Sequence, residues 1–235
     1  MGIRRISWSK NYYGLEIIIL NENHLIHRGI VNKKYKENLL KSFKHSFKKG
    51  YGIETDIHST KDNKFICFHD FTLNRIFKKR LSVKDLKYSQ IKKISNENNN
   101  PIPLLKDLLK ASKNKYPLFI EIKPNFTKKL LQKLLKETSK FSKCVFISFK
   151  HANIYKLLKL KNNTKVGLSF SPPTSVKTIV KKSNSRKINC LILDKFFLKN
   201  KKIQDLKIKK YYYTIKKKSE FNKYSKNNNL IFENL

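Results

Sequence analysis

Glu54 and Asp56 stand two residues apart in the run YGIETDI. In an extended strand, residues two apart project to the same side, so the two carboxylates would converge on one point. Left unpaired they repel. A hard divalent cation relieves that repulsion, because Ca2+ and Mg2+ prefer carboxylate oxygens. Glu121 repeats the pattern in FIEIK, with Lys123 two residues further on the same side. Any one of these acids could simply pair with a lysine; three at strand ends, with histidines alongside, point to a metal site. His27 ends an apolar run and is followed by Arg28 and Gly29, while His69 closes FICFHD. Two imidazoles beside a phosphoryl group can serve as base and acid at neutral pH. The planar fork of Arg28 suits phosphate oxygens, and Gly29 lets the backbone turn tightly or approach a ligand closely. His24, His45, His58 and His151 have no such setting and are read as structural.

Positioning these residues requires strands, and the chain supplies eight short apolar runs, at 24–29, 51–57, 116–123, 144–149, 165–170, 190–194, 210–215 and 229–234. Each is nearly continuous in apolar character, as parallel strands covered on both faces are. Helical periodicity falls between them, in Leu39/Leu40/Phe43/Phe47, Leu104/Leu105/Leu108/Leu109, Leu130/Leu131/Leu134/Leu135, Ile154/Leu157/Leu158 and Val176/Ile179/Val180. Thr127 is placed to cap the third of these, and 199–207 and 218–226 carry weaker helical patterns. Lysines fill the off-stripe positions as solvated faces. Eight strands alternating with helices predict an α/β fold, a single (β/α)8 TIM barrel over 21–235 behind an N-terminal extension of 1–20. No helix pattern follows the eighth run, so the chain is expected to lack the final helix, with 1–20 expected to cover part of that strand.

Composition narrows the class. Of 235 residues, 54 are Lys or Arg and 16 Asp or Glu, giving a net charge of +38. That balance raises nucleic-acid binding. The lysines are spread along the whole chain, however, and abundant Lys, Asn, Ile and Phe beside scarce Arg, Gly, Ala and Pro is the drift of an AT-rich coding sequence. No dedicated nucleic-acid partner is therefore expected, although the surface should attract small anions. Cys67, Cys144 and Cys190 lie in apolar runs without metal or disulfide spacing and are expected to be free thiols in a reducing compartment. The stretch GLEIIIL is short, contains Glu16 and lacks a small-residue cleavage site, so no signal peptide is expected. No run approaches the ~20 apolar residues of a membrane span. A cytoplasmic protein is the expectation.

The runs HRG (27–29), Glu37-Asn38, GIETDIHSTKDNKFICFHDFTLNR (52–75), IPLLKDLL (102–109) and FIEIK (119–123) together resemble the glycerophosphodiester phosphodiesterase family. The order and spacing of HRG, ExD, HD and EIK carry the resemblance, over the first half of the chain. It implies a TIM barrel with its site at the carboxyl ends of the strands. The implied reaction is hydrolysis of glycerophosphodiesters to glycerol 3-phosphate and an alcohol, with one divalent cation, Ca2+ or Mg2+. Glu54, Asp56 and Glu121 would hold the metal, His27 and His69 would be general base and acid, and Arg28 and Lys123 would bind phosphate. Asp70 would support the site from behind. A glycerol hydroxyl would attack phosphorus first, giving a cyclic phosphate that water then opens. The second half departs from the pattern: Tyr213-Thr214-Ile215-Lys216 stands where the family often has Trp-Thr-x-Asn, and Phe232-Glu233 where it usually has Thr-Asp. A stretch of roughly 76–101 after the second strand reads as a short insertion, implying an open pocket. Three other readings remain: a phospholipase D of lysolipids on the same barrel, a basic nucleic-acid-binding protein with a vestigial barrel, and a catalytically inactive binding protein, against which the seven intact site residues weigh.

Overall fold

The computed structural model describes residues 21–33 and 35–233. Nine strands are present among them: β1 (Asn21–His27), β2 (Tyr51–Ser59), β3 (Phe65–Cys67), β4 (Leu118–Ile122), β5 (Cys144–Ser148), β6 (Val166–Phe170), β7 (Cys190–Asp194), β8 (Lys209–Ile215) and β9 (Asn229–Phe232). Eight of them follow one another in parallel, β1-β2-β4-β5-β6-β7-β8-β9, and β9 pairs back onto β1. The sheet is a closed (β/α)8 barrel, as the alternation of runs predicts. β3 is the element that alternation misses. It pairs antiparallel with β2 outside the barrel, after a turn in which Asn63 adopts a positive φ.

The strict two-residue period of the strands sorts their side chains into two cores. Ile53, Ile57, Leu118, Ile120, Phe146, Leu168, Leu191, Tyr212 and Leu230 face outward into a large cluster shared with the helices. Their neighbours Leu25, Phe119, Ile147, Cys190, Ile192, Tyr211 and Ile231 face inward and fill the barrel. One inward step further toward the carboxyl ends, these series arrive at His27, Glu121, Phe149, Asp194, Tyr213 and Glu233. The apolar filling thus forms a floor on which the polar layer rests.

The covering helices include α1 (Leu40–Lys48), α4 (Leu105–Ser112), α5 (Lys128–Thr138), α6 (His151–Leu160), α7 (Val176–Ser183), α8 (Lys201–Gln204) and α9 (Lys218–Tyr224), with α2 (Asn74–Phe77) and α3 (Tyr88–Glu97) in the segment after β3. Helix α5 buries Leu131 and Leu134 and is capped by Thr127, whose hydroxyl accepts from the Leu130 amide. The segment containing α2 and α3 has a core of its own, with Phe68, Leu73, Phe77, Val83, Ile91 and Leu104 buried together. Residues 1–20, expected to lie over the last strand, are outside the described residues. Phe232 on β9 instead packs edge-on against Phe221 of α9 and Tyr51.

Candidate active site

The inward series of β2 brings Glu54 and Asp56 to the carboxyl end of the barrel, and the register Asp56↔Glu121 sets the third carboxylate beside them. One oxygen from each lies within 4.8 Å of the others, and all three residues are buried. Lys123 Nζ is 3.0 Å from Glu121 Oε1 and 3.4 Å from Asp56 Oδ1. Arg28 Nε is 3.1 Å from Asp56 Oδ2, close enough to pair electrostatically without the alignment of a hydrogen bond. Arg28 has a positive φ of 55° and Gly29 one of 77°, so the chain turns sharply out of β1. A β-carbon at Gly29 would lie 3.0 Å from Phe43 and Ser42, which with the positive φ explains the glycine. A non-glycine residue in the left-handed region, held there by hydrogen bonds from Arg28 to the Glu54 carbonyl and from Asn38 to the Arg28 carbonyl, is a locally strained arrangement that aims the guanidinium inward.

Burial and mutual repulsion govern the acids. Burial, then the charges of Asp56 and Glu121, raise the Glu54 carboxyl well above its usual range. Glu121 is pushed up to about 7, by burial first and Asp56 second. Burial also opposes ionisation of Asp56, but Arg28 and Lys123 outweigh it and hold its pKa low. Two buried oxygens, Glu54 Oε2 and Asp56 Oδ2, have no hydrogen-bond partner. Orphaned buried carboxylate oxygens are costly, and hard oxygen donors grouped at this spacing fit a divalent cation. Charge balance agrees. Three carboxylates facing two cations leave one negative charge; a divalent cation converts it to one positive, the complement of a monoanionic phosphodiester.

Two imidazole–carboxylate pairs flank this cluster. His27 Nδ1 is 2.5 Å from Glu233 Oε1, and the opposite ring nitrogen, Nε2, is 3.6 Å from Glu54 Oε2. The His27 hydrogen bond is the leading cause that pulls Glu233 down to about 2. His69 Nδ1 is 2.6 Å from Asp70 Oδ1, and Asp70 accepts from Arg75 Nε at 2.6 Å. Arg75 continues to Glu37, which approaches Arg28 at 3.6 Å. A chain of alternating charges therefore runs from His69 through Asp70, Arg75 and Glu37 to Arg28. In both dyads the carboxylate occupies Nδ1, leaving Nε2 free of that contact. Burial lowers the pKa of His69.

His27, Arg28, Glu54, His69, Glu121 and Lys123 line one cleft of about 230 Å3 together with Ile147, Phe149, Ile192, Tyr213, Thr214 and Ile231. Asp56 lies just beneath, 1% exposed. All seven residues singled out in the sequence are thus brought together. Three contributors escaped it. Glu233 looked like a mere departure in the last strand, yet the two-residue rule applied from Ile231 would have placed it inward. Glu37 and Arg75 act through long-range pairing that no local pattern announces. His58, taken as structural, is buried and contacts the His69 carbonyl at 3.1 Å, steadying the backbone of that residue. His24 and His151 are structural too: His24 Nδ1 accepts from the Leu230 amide, and His151 bonds the Ser169 carbonyl.

A parallel barrel with buried acids, imidazoles and cations gathered at its carboxyl face is the arrangement of a hydrolase-type TIM barrel with room for a divalent cation. The chain belongs to the glycerophosphoryl diester phosphodiesterase family, whose model matches residues 27–230. It is 28% identical over 164 residues to a human lysophospholipase D, covering 63% of this chain and 51% of that protein. It is 29% identical over 161 residues to a glycerophosphodiester phosphodiesterase of Caldanaerobacter subterraneus, covering 62% and 65%. The chain thus aligns with less than two thirds of the length of these relatives. Among solved structures, a glycerophosphodiester phosphodiesterase from Thermotoga maritima superposes with a TM-score of 0.76 at 21% identity, covering 91% of this chain and 94% of the other. An Oleispira antarctica phosphodiesterase, solved with the product sn-glycerol-3-phosphate, superposes with the same score at 19% identity, covering 90% and 92%. These likenesses establish the fold.

Proposed function

We propose that this protein hydrolyses glycerophosphodiesters to sn-glycerol 3-phosphate and an alcohol, in a divalent-cation-dependent reaction. The observation that carries the reading is the meeting of three carboxylates, two cations and two carboxylate-paired imidazoles around one cleft. Glu54, Asp56 and Glu121 would hold Ca2+ or Mg2+, which when bound neutralises phosphate charge and polarises a P–O bond. Arg28 and Lys123 orient the phosphoryl oxygens and stabilise the negative charge that grows on them as phosphorus becomes pentacoordinate. One imidazole Nε2 takes the proton of the attacking glycerol hydroxyl, while the other imidazolium protonates the departing alkoxide. A cyclic phosphate results. Water then opens it with the two histidines in exchanged roles, which returns each to its starting protonation state. Glu233 and Asp70 stabilise whichever imidazole is protonated and fix its tautomer.

The direct test assays metal-stripped protein on a panel of glycerophosphodiesters, adding back Ca2+ or Mg2+. Release of glycerol 3-phosphate only on addition of cation is expected; turnover indifferent to cation would refute the reading. A second reading, release of the alcohol from lysolipids, is favoured by the apolar wall of Ile147, Phe149, Ile192 and Ile231 and by the lysophospholipase D relative. Turnover of glycerophosphocholine and lysophosphatidylcholine side by side decides between them. A phosphodiester of glycerol is the expected substrate in either case.

A further inference from the structure

Five large apolar side chains are prominently exposed among the described residues: Phe71 (53%), Leu81 (42%), Phe149 (41%), Tyr155 (40%) and Phe196 (69%). The parallel topology places them at one end of the barrel. Phe149 directly follows β5, Phe196 closely follows β7, and Phe71 follows His69 at the level of the site. Leu81 runs beside Phe71 in a short antiparallel pairing, Thr72 with Ser82, and the Val83 amide bonds the Phe71 carbonyl. Tyr155 sits in the first turns of α6, which leaves the same end of the barrel. The described connections at the opposite end, such as 113–115, 139–143 and 184–187, expose lysine, serine, asparagine and arginine instead.

Positive charge does not distinguish the two ends, because lysines cover both. Exposed apolar side chains do. At the mouth the two kinds are interleaved: Lys78, Lys79 and Arg80 immediately precede Leu81, Lys150 follows Phe149, and all are exposed. Single exposed hydrophobics are ordinary on a protein surface; a set confined to one end of the barrel, set among cations, is not. Cations among apolar side chains match the interface of an anionic bilayer, where rings enter the headgroup region and lysines meet lipid phosphates. Neither water nor a purely polar polyanion would favour the rings.

We propose that the mouth of the barrel docks peripherally on an anionic lipid bilayer, with Phe71, Leu81, Phe149 and Phe196 entering the headgroup layer so that the cleft opens onto the membrane. Binding to the bilayer needs no turnover, so it stands apart from the hydrolytic reading. The test is sedimentation of the full chain with vesicles of phosphatidylglycerol and phosphatidylcholine. Strong binding to mixed vesicles and weak binding to pure phosphatidylcholine are expected. The variant Leu81→Ser/Phe196→Ser should partition at least tenfold less, with its melting temperature and its turnover of soluble glycerophosphocholine unchanged. The variant Lys140→Ser/Lys187→Ser, at the opposite end, should partition like the parent. Independently, Phe196→Trp should give a blue-shifted emission on adding vesicles, measured against the parent. Equal binding by parent and Leu81→Ser/Phe196→Ser would show that net charge alone suffices and overturn the proposal, as would no vesicle binding or an unshifted emission from the Phe196→Trp variant. Loss of binding to an RNA oligomer in the double serine variant at the mouth, with vesicle binding retained, would assign the rim to nucleic acid and also overturn it.

Discussion

The two sides of the cleft are built from different parts of the chain and obey different rules. One side, from β1, β2, β4 and β9, presents His27, Glu54, Asp56, Glu121, Lys123 and Glu233, each with a charged partner within reach. The other, from β5, β7 and β8, presents Ile147, Phe149, Ile192 and Tyr213. On the charged side burial and charged neighbours together set the protonation of Glu54, Asp56, Glu121, Lys123 and Glu233, so a single change propagates. On the apolar side the contacts of Ile147, Phe149 and Ile192 are interchangeable at constant volume, while the Tyr213 hydroxyl donates to the Phe170 carbonyl. We expect chemistry and selectivity to be separable here: the charged side setting rate and metal dependence, the apolar side deciding whether an acyl chain on the glycerol is accepted.

That separation can be broken by experiment. The largest effect is expected from His27→Ala and His69→Ala, which should fold normally and lose roughly 10²–10⁴ in kcat, as removal of a general acid or base does; near-parental kcat in either would remove it from the reaction. Next, Glu54→Gln or Glu121→Gln should raise the cation concentration for half-maximal activity by about 100-fold or more, exceeding the roughly 10–100-fold cost of losing a supporting partner. An unchanged cation titration would take that residue out of the metal site. Glu233→Gln should lower kcat by about tenfold at an unchanged cation requirement, since it orients His27 without touching the metal group. A shifted cation titration would mean that Glu233 belongs with the ligands. On the apolar side, Phe149→Ala should leave kcat/KM for glycerophosphocholine within a few-fold and lower it about tenfold for a long-chain lysolipid, the scale of a lost apolar contact. An equal loss on both would erase the distinction between the sides.

The smallest effect concerns stability. The Glu121 carboxyl is raised to about 7 in the folded protein, above its ordinary value near 4.5, by burial and by Asp56. Between these values the folded state binds more protons than the unfolded one, so metal-free protein should lose stability as pH rises from 5 to 8. Melting temperatures should therefore fall by a few degrees over this range, less steeply in Glu121→Gln, and Ca2+ or Mg2+ should restore them. A parent and variant with superimposable pH profiles would show that Glu121 is not strained.

Much of the site was legible along the chain because its residues sit at two-residue spacing on single strands. Glu54 with Asp56, and Glu121 with Lys123, declare a common side from backbone geometry alone. The resemblance of HRG, ExD, HD and EIK to one family added their order. The small element β3 and the α2–α3 segment were not legible, since Phe65–Cys67 is too short for a period and the segment's core draws on residues from Ile66 to Leu104.

By itself, the sequence determined that eight apolar strands alternate with helices, and which of their residues share a side, because both follow from local periodicity and covalent geometry. Only the tertiary structure decided that Glu233 meets His27 across 206 residues, that Arg75 joins Asp70 to Glu37, and that exposed rings gather at the mouth. These depend on closure of β9 onto β1 and on the paths of loops, which are fixed by packing among distant segments rather than by any pattern within one.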